Sequence, residues 1–181
     1  MITGYEGKNK TLEIPKTIDG YTITKIDDLV FYARSLESVA IPDSVTYIGK
    51  DAFGRNRKLE SVKLSSKLET IDDGAFANTG LKSVAIPNSV NKIGQGAFDS
   101  CTVLEKVTLP VNLTTIEDGT FFNCKSLTDI TIPSKVTKIG DSALMECQSL
   151  KKLTIPNSVT SIEAGAFWCC DNLHELTIPA S

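Results

Sequence analysis

The 181-residue chain has a single histidine, a single tryptophan and no run of 18 apolar residues. Each shortage excludes something. With His174 as the sole imidazole, a serine or cysteine nucleophile has almost no choice of general base. His174 also stands in a slot held elsewhere by Lys151, Thr128 and Glu105, which reads as a solvated surface side chain. Without a long apolar run, nothing reads as a membrane-spanning helix, and no membrane insertion is expected. Net charge is −3, with 19 basic and 22 acidic residues interleaved, so no basic patch argues for nucleic acid. Glycines stand singly and form neither a dinucleotide fingerprint nor a phosphate loop. The opening Met1 to Glu6 lacks the charged and apolar regions of a signal peptide. The chain is therefore either cytoplasmic or a mature piece from which an export signal has been removed.

Five cysteines are present, and four of them, Cys101, Cys124, Cys147 and Cys170, recur every 23 residues. That spacing is wrong for the paired Cys-x-x-Cys of zinc sites. Neighbouring copies of a repeat would bring these sulfurs close to disulfide reach. The reading adopted is a buried column of reduced thiols acting as small hydrophobes. Cys169 is the odd one and is expected to be more exposed. Paired carboxylates such as Asp72-Asp73 and Glu117-Asp118 recur with the same period, which suits surface caps better than acid–base chemistry. An acidic column lacks the dense oxygen spacing of calcium loops. No enzyme, no metal and no cofactor are expected.

What is present is a repeat. Leu150-x-x-Leu153-x-Ile155-Pro156, then Val159-x-x-Ile162, then Gly165-Ala166-Phe167 and Cys170, is one full copy. Copies start at Leu36, Leu59, Leu81, Leu104, Leu127, Leu150 and Leu173, spaced 23, 22, 23, 23, 23 and 23 residues apart. A fixed period of this size means a solenoid, in which each copy buries its apolar face against the next. Ordering costs about 1.5 kcal/mol per residue, so a lone repeat with six or so apolar groups does not fold by itself. The first apolar segment alternates, as in Val84-x-Ile86, and reads as a strand with one face inside. Proline follows at Pro42, Pro87, Pro110, Pro133, Pro156 and Pro179, with Ser65 the exception, and ends the ladder. The second segment, Val90-x-x-Ile93 and kin, reads as a short strand or a bend. An acidic residue follows at Asp28, Asp73, Asp118, Asp141 and, shifted by one, Asp51. It is expected to cap a short helical or 3₁₀ turn that drops a phenylalanine inward. Columns of like residues are then expected: Phe31, Phe53, Phe76, Phe98, Phe121 and Phe167, with Leu144 substituting, and Asn56, Asn78 and the four cysteines.

Residues 1–35 read as a capping region with an atypical first repeat, and 36–181 as the tandem array, in one continuous domain. Ile2 to Tyr5 is expected to add an edge strand, and Asp19-Gly20 marks a turn. The whole reads as about seven right-handed coils of ~23 residues, β-rich, with a parallel sheet on one face.

The pattern LxxVxIPxxVxxIGxxAFxxCxxL, clearest from Leu81 to Cys101, resembles the BspA-like leucine-rich repeat family of bacterial and some protist surface proteins. The opening Ile2 to Tyr5, with Ile14-Pro15 and Asp19-Gly20-Tyr21, resembles that family's first coil. The resemblance implies a leucine-rich repeat solenoid, a cell-surface or secreted location, and adhesion to host, matrix or cell-surface proteins.

Every apolar and turn position being committed, a partner is left the outward residues of the first strands. One column is Ser38, Ser61, Ser83, Lys106, Asp129, Lys152 and Glu175; the other is Ala40, Lys63, Ala85, Thr108, Thr131, Thr154 and Thr177. From these, Lys63, Lys106, Thr108, Asp129, Thr131, Lys152, Thr154, Glu175 and Thr177 are the candidate contacts on a flat, polar, concave sheet, with Trp168 as an anchor on a lateral edge. The alternative is a structural spacer that projects other domains. The unfinished copy ending Ile178-Pro179-Ala180-Ser181 exposes an edge, so the chain either continues or pairs there as a homodimer.

Overall fold

The structure, a computed structural model, describes residues 1–178; Pro179, Ala180 and Ser181, and with them the last proline turn, lie outside the described residues. It is a β-solenoid of about seven coils. Each coil runs strand, proline turn, two-residue strand, then a long turn. The first strands are Thr11–Glu13, Ser38–Ala40, Ser61–Lys63, Ser83–Ala85, Lys106–Thr108, Lys152–Thr154 and Glu175–Thr177. Where they pair they are parallel and join equivalent residues, as in Ser38↔Ser61, Ser83↔Lys106 and Lys152↔Glu175. The second strands, such as Tyr47–Ile48, Thr70–Ile71 and Lys92–Ile93, pair the same way and place Ile48, Ile71 and Ile93 inside.

The prolines turn the chain as their chemistry requires. Pro42, Pro87, Pro110, Pro133 and Pro156 each lend their carbonyl to the N–H three residues on, at 3.0–3.1 Å. Ser65 keeps that bond, to Leu68 N–H at 3.1 Å, and its hydroxyl accepts a second from Lys67 N–H at 3.2 Å.

The long turns are not helical, and this corrects the expectation of helical or 3₁₀ segments. Among the described residues no helix occurs. Two residues per coil, four apart, hold positive φ: Gly74 and Asn78, Gly96 and Ser100, Gly119 and Asn123, Gly165 and Cys169. A helix tolerates no such residue in its interior. Successive N–H groups instead point alternately inward along the turn and across to the next coil. Gly54 N–H returns to Asp51 O at 3.0 Å, whereas Phe53 N–H crosses to Ala75 O at 2.8 Å. The crossing ladder holds at every step, through Phe76 to Ala97, Phe98 to Thr120, Phe121 to Ala143 and Leu144 to Ala166.

That ladder sets the packing. Phe31, Phe53, Phe76, Phe98 and Phe121 stack with ring centroids 5.0–5.7 Å apart and planes within 9° of parallel. Leu144 continues the column fully buried, and Phe167 is half-buried in the last described turn. At the other end Tyr5 lies on Phe31 at 5.2 Å and Ile2 bridges to Ile26, so residues 2–5 cover the first coil as expected. Asp19 and Gly20, both at positive φ, close an antiparallel hairpin of Thr17–Ile18 with Tyr21–Thr22.

Three of the aspartates cap, but they cap the next coil; Asp141 does not, and accepts from the Ser142 hydroxyl at 2.6 Å instead. Asp28 Oδ1 accepts from Lys50 N–H at 2.8 Å, Asp73 from Gln95 at 3.0 Å and Asp118 from Asp141 at 3.0 Å. The preceding residues, Gly49, Gly94 and Gly140, sit so close that a Cβ would meet backbone atoms of the capping coil at 2.5–2.7 Å. Where the aspartate is replaced, by Lys50 and Gln95, the following coil has Asp72 and Glu117 in place of glycine. Asp51 is not part of this column. It holds one of the positive-φ positions, at φ 51°.

Candidate functional site

The strand face is built as a row of outward slots. Alternation sends Val39, Val84, Val107 and Leu153 inward, at most 5% exposed, and leaves Lys63, Lys106, Thr108, Asp129, Thr131, Lys152, Thr154, Glu175 and Thr177 exposed. Pairings Ala40↔Lys63, Ala85↔Thr108 and Thr154↔Thr177 bring most of the second column into register. Lys152 and Glu175 form an exposed ion pair at 3.6 Å, of a kind worth about 0–1 kcal/mol. Trp168 is apart from this face. Its backbone joins the turn ladder, accepting from Glu146 N–H at 2.8 Å, and its side chain is 65% exposed. His174 is exposed too, with Nδ1 2.8 Å from Asn172 O.

The sheet beneath these slots is interrupted. Strand Ser61–Lys63 does not pair with Ser83–Ala85, and residues 129–131 keep only a bridge from Asp129 to Lys106. The first interruption follows the short repeat, where the chain passes through Gly80 with no room for a Cβ beside Arg57 O, 2.5 Å away. The others flank residues 129–131 and open two cavities. One, of about 520 Å³, lies between Lys106–Leu109 and Asp129–Pro133, with Val111 at its mouth. The other, of about 270 Å³, lies between the same segment and Lys152–Thr154. Sequence patterning missed these residues because Leu109, Ile132 and Pro133 match the repeat; the only signal was Val111, an apolar residue that is 57% exposed.

Behind the face runs the thiol column. Cys124, Cys147 and Cys170 direct Sγ–H to Phe98 O, Phe121 O and Leu144 O at 3.1–3.3 Å, and Cys101 does the same to Phe76 O at 3.2 Å. The column's next member is Thr79, not Asn78: Thr79 Oγ1 lies 3.2 Å from Cys101 Sγ, and Asn78 holds a positive-φ turn position. The missing residue of the short repeat is thus lost after Thr79, one place later than the alignment on leucine implies. Asn56 heads the column. Its amide donates to Phe31 O at 2.8 Å and Phe53 O at 2.7 Å, and its carbonyl accepts from Leu36 N–H at 3.0 Å.

Burial pushes the Cys101 thiol up to about 11, and holds Cys124, Cys147 and Cys170 above the ordinary thiol value. These raised values favour the folded state below the unfolded thiol range and lose that contribution as pH climbs through the folded one. Stability is therefore expected to fall between about pH 9 and 11, read by urea unfolding at stepped pH. Native alkylation near neutral pH, followed by mass, is expected to label Cys169 first and to leave Cys101, Cys124 and Cys147 unmodified until unfolding.

One buried acid remains. Asp72 is 7% exposed; burial pushes its carboxyl up, but hydrogen bonds from Tyr47 OH at 2.6 Å and Asp73 N–H at 3.0 Å, with Lys92 beside it, carry it below the usual range. The same bond, first, and burial, second, hold the Tyr47 phenol well above its ordinary value. With Lys92 the pair ties three neighbouring second strands together.

Among curated proteins none matches this chain. Among solved structures, the chain is similar to a leucine-rich repeat protein of T. pallidum, at 30% identity and TM-score 0.64, over 81% of this chain and 80% of that one. It is similar in fold to a leucine-rich repeat protein of Bacteroides ovatus, at 24% identity and TM-score 0.57, over 94% and 57%. It is also similar in fold to the pneumococcal vaccine antigen PcpA, at 20% identity and TM-score 0.60, over 97% and 62%. The model of the BspA type leucine-rich repeat region matches six copies, across residues 24–147 and 70–181. The stacked phenylalanine column, the strand–proline turn and the match over nearly all of the array place this chain in the BspA-type leucine-rich repeat family.

Proposed function

We propose that this chain is a non-catalytic protein-binding and adhesion module, carried at a bacterial cell surface or secreted, that meets its partner through the polar strand face. The observation that carries this reading is the division of labour within each coil. Apolar, proline and glycine positions are consumed by the stack, while Lys106, Thr108, Asp129, Thr131, Lys152 and Thr154 stand exposed and make few bonds to one another. A similar fold in a leucine-rich cell surface protein of Faecalibacterium prausnitzii, at 20% identity, fits the proposed location. Changing Thr108, Thr131 and Lys152 together to glutamate is expected to abolish capture of a host or matrix protein by the immobilised chain, with the melting temperature unchanged. Undiminished capture would remove the strand face from the proposal.

Two further readings have support of their own. A spacer role is favoured by the unbroken turn ladder, which makes a stiff rod; a chain that binds nothing alone yet is needed for reach in a longer protein would select it. Pairing of two copies at the last described coil is supported by Ile162, Leu176 and Ile178, exposed by 40%, 43% and 60%. Light scattering at high concentration is expected to give a dimer mass that halves on changing Leu176 and Ile178 to serine, and a monomer at all concentrations would dismiss it.

A further inference from the structure

Where the strand face opens, it leaves main-chain groups without partners. At four steps of the stack, the residue just past the first strand donates its N–H to the next coil: Ile14 to Ala40, Ile41 to Lys63, Ile86 to Thr108 and Ile155 to Thr177, at 2.9–3.0 Å. Leu109 and Ile132 are the equivalents in two further coils and, like Leu64 at the first interruption, do not make this bond among the described residues. The Leu109 and Ile132 side chains are buried, 7% and 5% exposed. A backbone N–H so placed is ordinarily paired, because leaving it unpaired costs free energy. The carbonyl that Leu109 would meet, on Thr131, stands across the cleft.

The cavity between them is a wedge. It is closed at one end by the Lys106–Asp129 bridge and lined at the other by Val111 and Ser134, before the coils pair again at Thr115↔Lys138. Its walls are Val107, Leu109, Ile130, Ile132 and Pro133, with Val111 at the mouth. At about 520 Å³ it lies within the span of cavities that hold ligands, about 300–1,000 Å³. Lys106 and Asp129 oppose one another at the closed end, so the cleft offers no net charge. An occupant must satisfy a donor on one wall and an acceptor on the other while placing apolar bulk between. A lipid chain or detergent meets only the second need. A polypeptide strand meets both, because its N–H and C=O alternate along an edge while its side chains project to either side.

We propose that the cleft between Lys106–Leu109 and Asp129–Pro133 docks an extended, uncharged segment of a partner protein. Its main chain pairs with Leu109 N–H and Thr131 C=O, and one bulky apolar side chain fills the wedge. The proposal rests on the reading of the chain as a protein-binding module and gives that module a specific subsite.

The test uses the full chain, labelled with nitrogen-15, and the probe acetyl-Thr-Val-Phe-Val-Thr amide. Saturable shifts are expected at the amides of Leu109, Thr131 and Ile132. Hydrogen exchange at Leu109 N–H is expected to slow about tenfold or more on saturation, while the already paired Ile86 N–H stays unchanged. Val111→Arg, at an exposed position, is expected to weaken the peptide about tenfold with no change in the dispersion of the spectrum. The same peptide N-methylated at alternate residues is expected to weaken equally. Absence of saturable binding overturns the proposal, as does a free-state Leu109 N–H that exchanges as slowly as Ile86. Undiminished binding by the N-methylated peptide reduces the site to an apolar pocket and overturns the strand pairing. If Val111→Arg still captures a protein partner at full strength, the cleft fails while the binding module stands.

Discussion

Phe76→Ala is expected to cost about 3–5 kcal/mol of unfolding free energy in urea, the largest loss of any single truncation in the stack. Phe76 is fully buried and stacked on both sides, with Phe53 at 5.2 Å and Phe98 at 5.6 Å. Its backbone N–H crosses to Ala97 O and those on either side return along the turn to Asp72 O and Gly74 O, so the site cannot collapse to refill the space. The loss has a second consequence peculiar to a stack. Each coil touches only its neighbours, so stability is a sum of nearest-neighbour terms, and a weak central interface lets the two halves melt apart. The unfolding transition is therefore expected to broaden as well as shift. Phe31→Leu at the end of the column is the comparison: a smaller loss and an unbroadened transition. A Phe76→Ala curve as steep as the parent's would contradict the nearest-neighbour account.

Asn56→Ala is expected to cost about 2–4 kcal/mol, because it orphans at least one buried donor and one buried acceptor at about 1–3 kcal/mol each. Asn56 is fully buried, and its amide meets Phe31 O and Phe53 O while its carbonyl meets Leu36 N–H. The protein contains its own control. At the equivalent place Cys124 and Cys147 satisfy the carbonyl of the phenylalanine one coil back by a single Sγ–H bond. Asn56→Cys is thus expected to recover about half of the alanine loss, leaving Leu36 N–H as the residual defect. Thermal melts of the three chains side by side give the order; a cysteine variant no better than alanine would mean the amide's geometry matters more than its bond to Phe31 O.

How far these arguments reach back into the sequence differs from element to element. The strands, the proline turns, the Asp19-Gly20 hairpin and the cover provided by Ile2 and Tyr5 follow from alternation, ring chemistry and turn chemistry, all local properties of the residues concerned. The turn ladder does not. Its positive-φ positions are held not only by glycine but by Leu29, Asp51, Ser100, Ser142, Glu146 and Cys169, whose side chains carry no local sign of that conformation. What holds them there is the pairing of their neighbours across coils. The exchange of Asn78 for Thr79 in the polar column has a similar cause. A one-residue deletion can be slid along Ala77 to Gly80 without disturbing any apolar position, and only the meeting of Thr79 with Cys101 fixes it. The strand face was legible as a set of exposed slots, since outward residues follow from alternation alone. Its opening beside residues 129–131 was not, because coil spacing belongs to the stack and to no one repeat.

The caps on the turn side carry a consequence for how such a chain grows. Asp28, Asp73 and Asp118 lie 45 residues apart, and each faces a glycine, Gly49, Gly94 or Gly140, one coil further on. As far as Gly140 the interlocking unit is therefore a pair of coils, although the sequence repeats with every one; beyond it the alternation ends, since Asp141 is followed one coil on by Glu163. A gene that gains or loses a pair keeps each carboxylate opposite a glycine and its N–H. Excision of a single coil would set Asp28 against Asp72, two carboxylates where a cap and its clearance had been. Within the stretch from Asp28 to Gly140, lengthening by two coils at a time keeps the backbone clearance of three glycines.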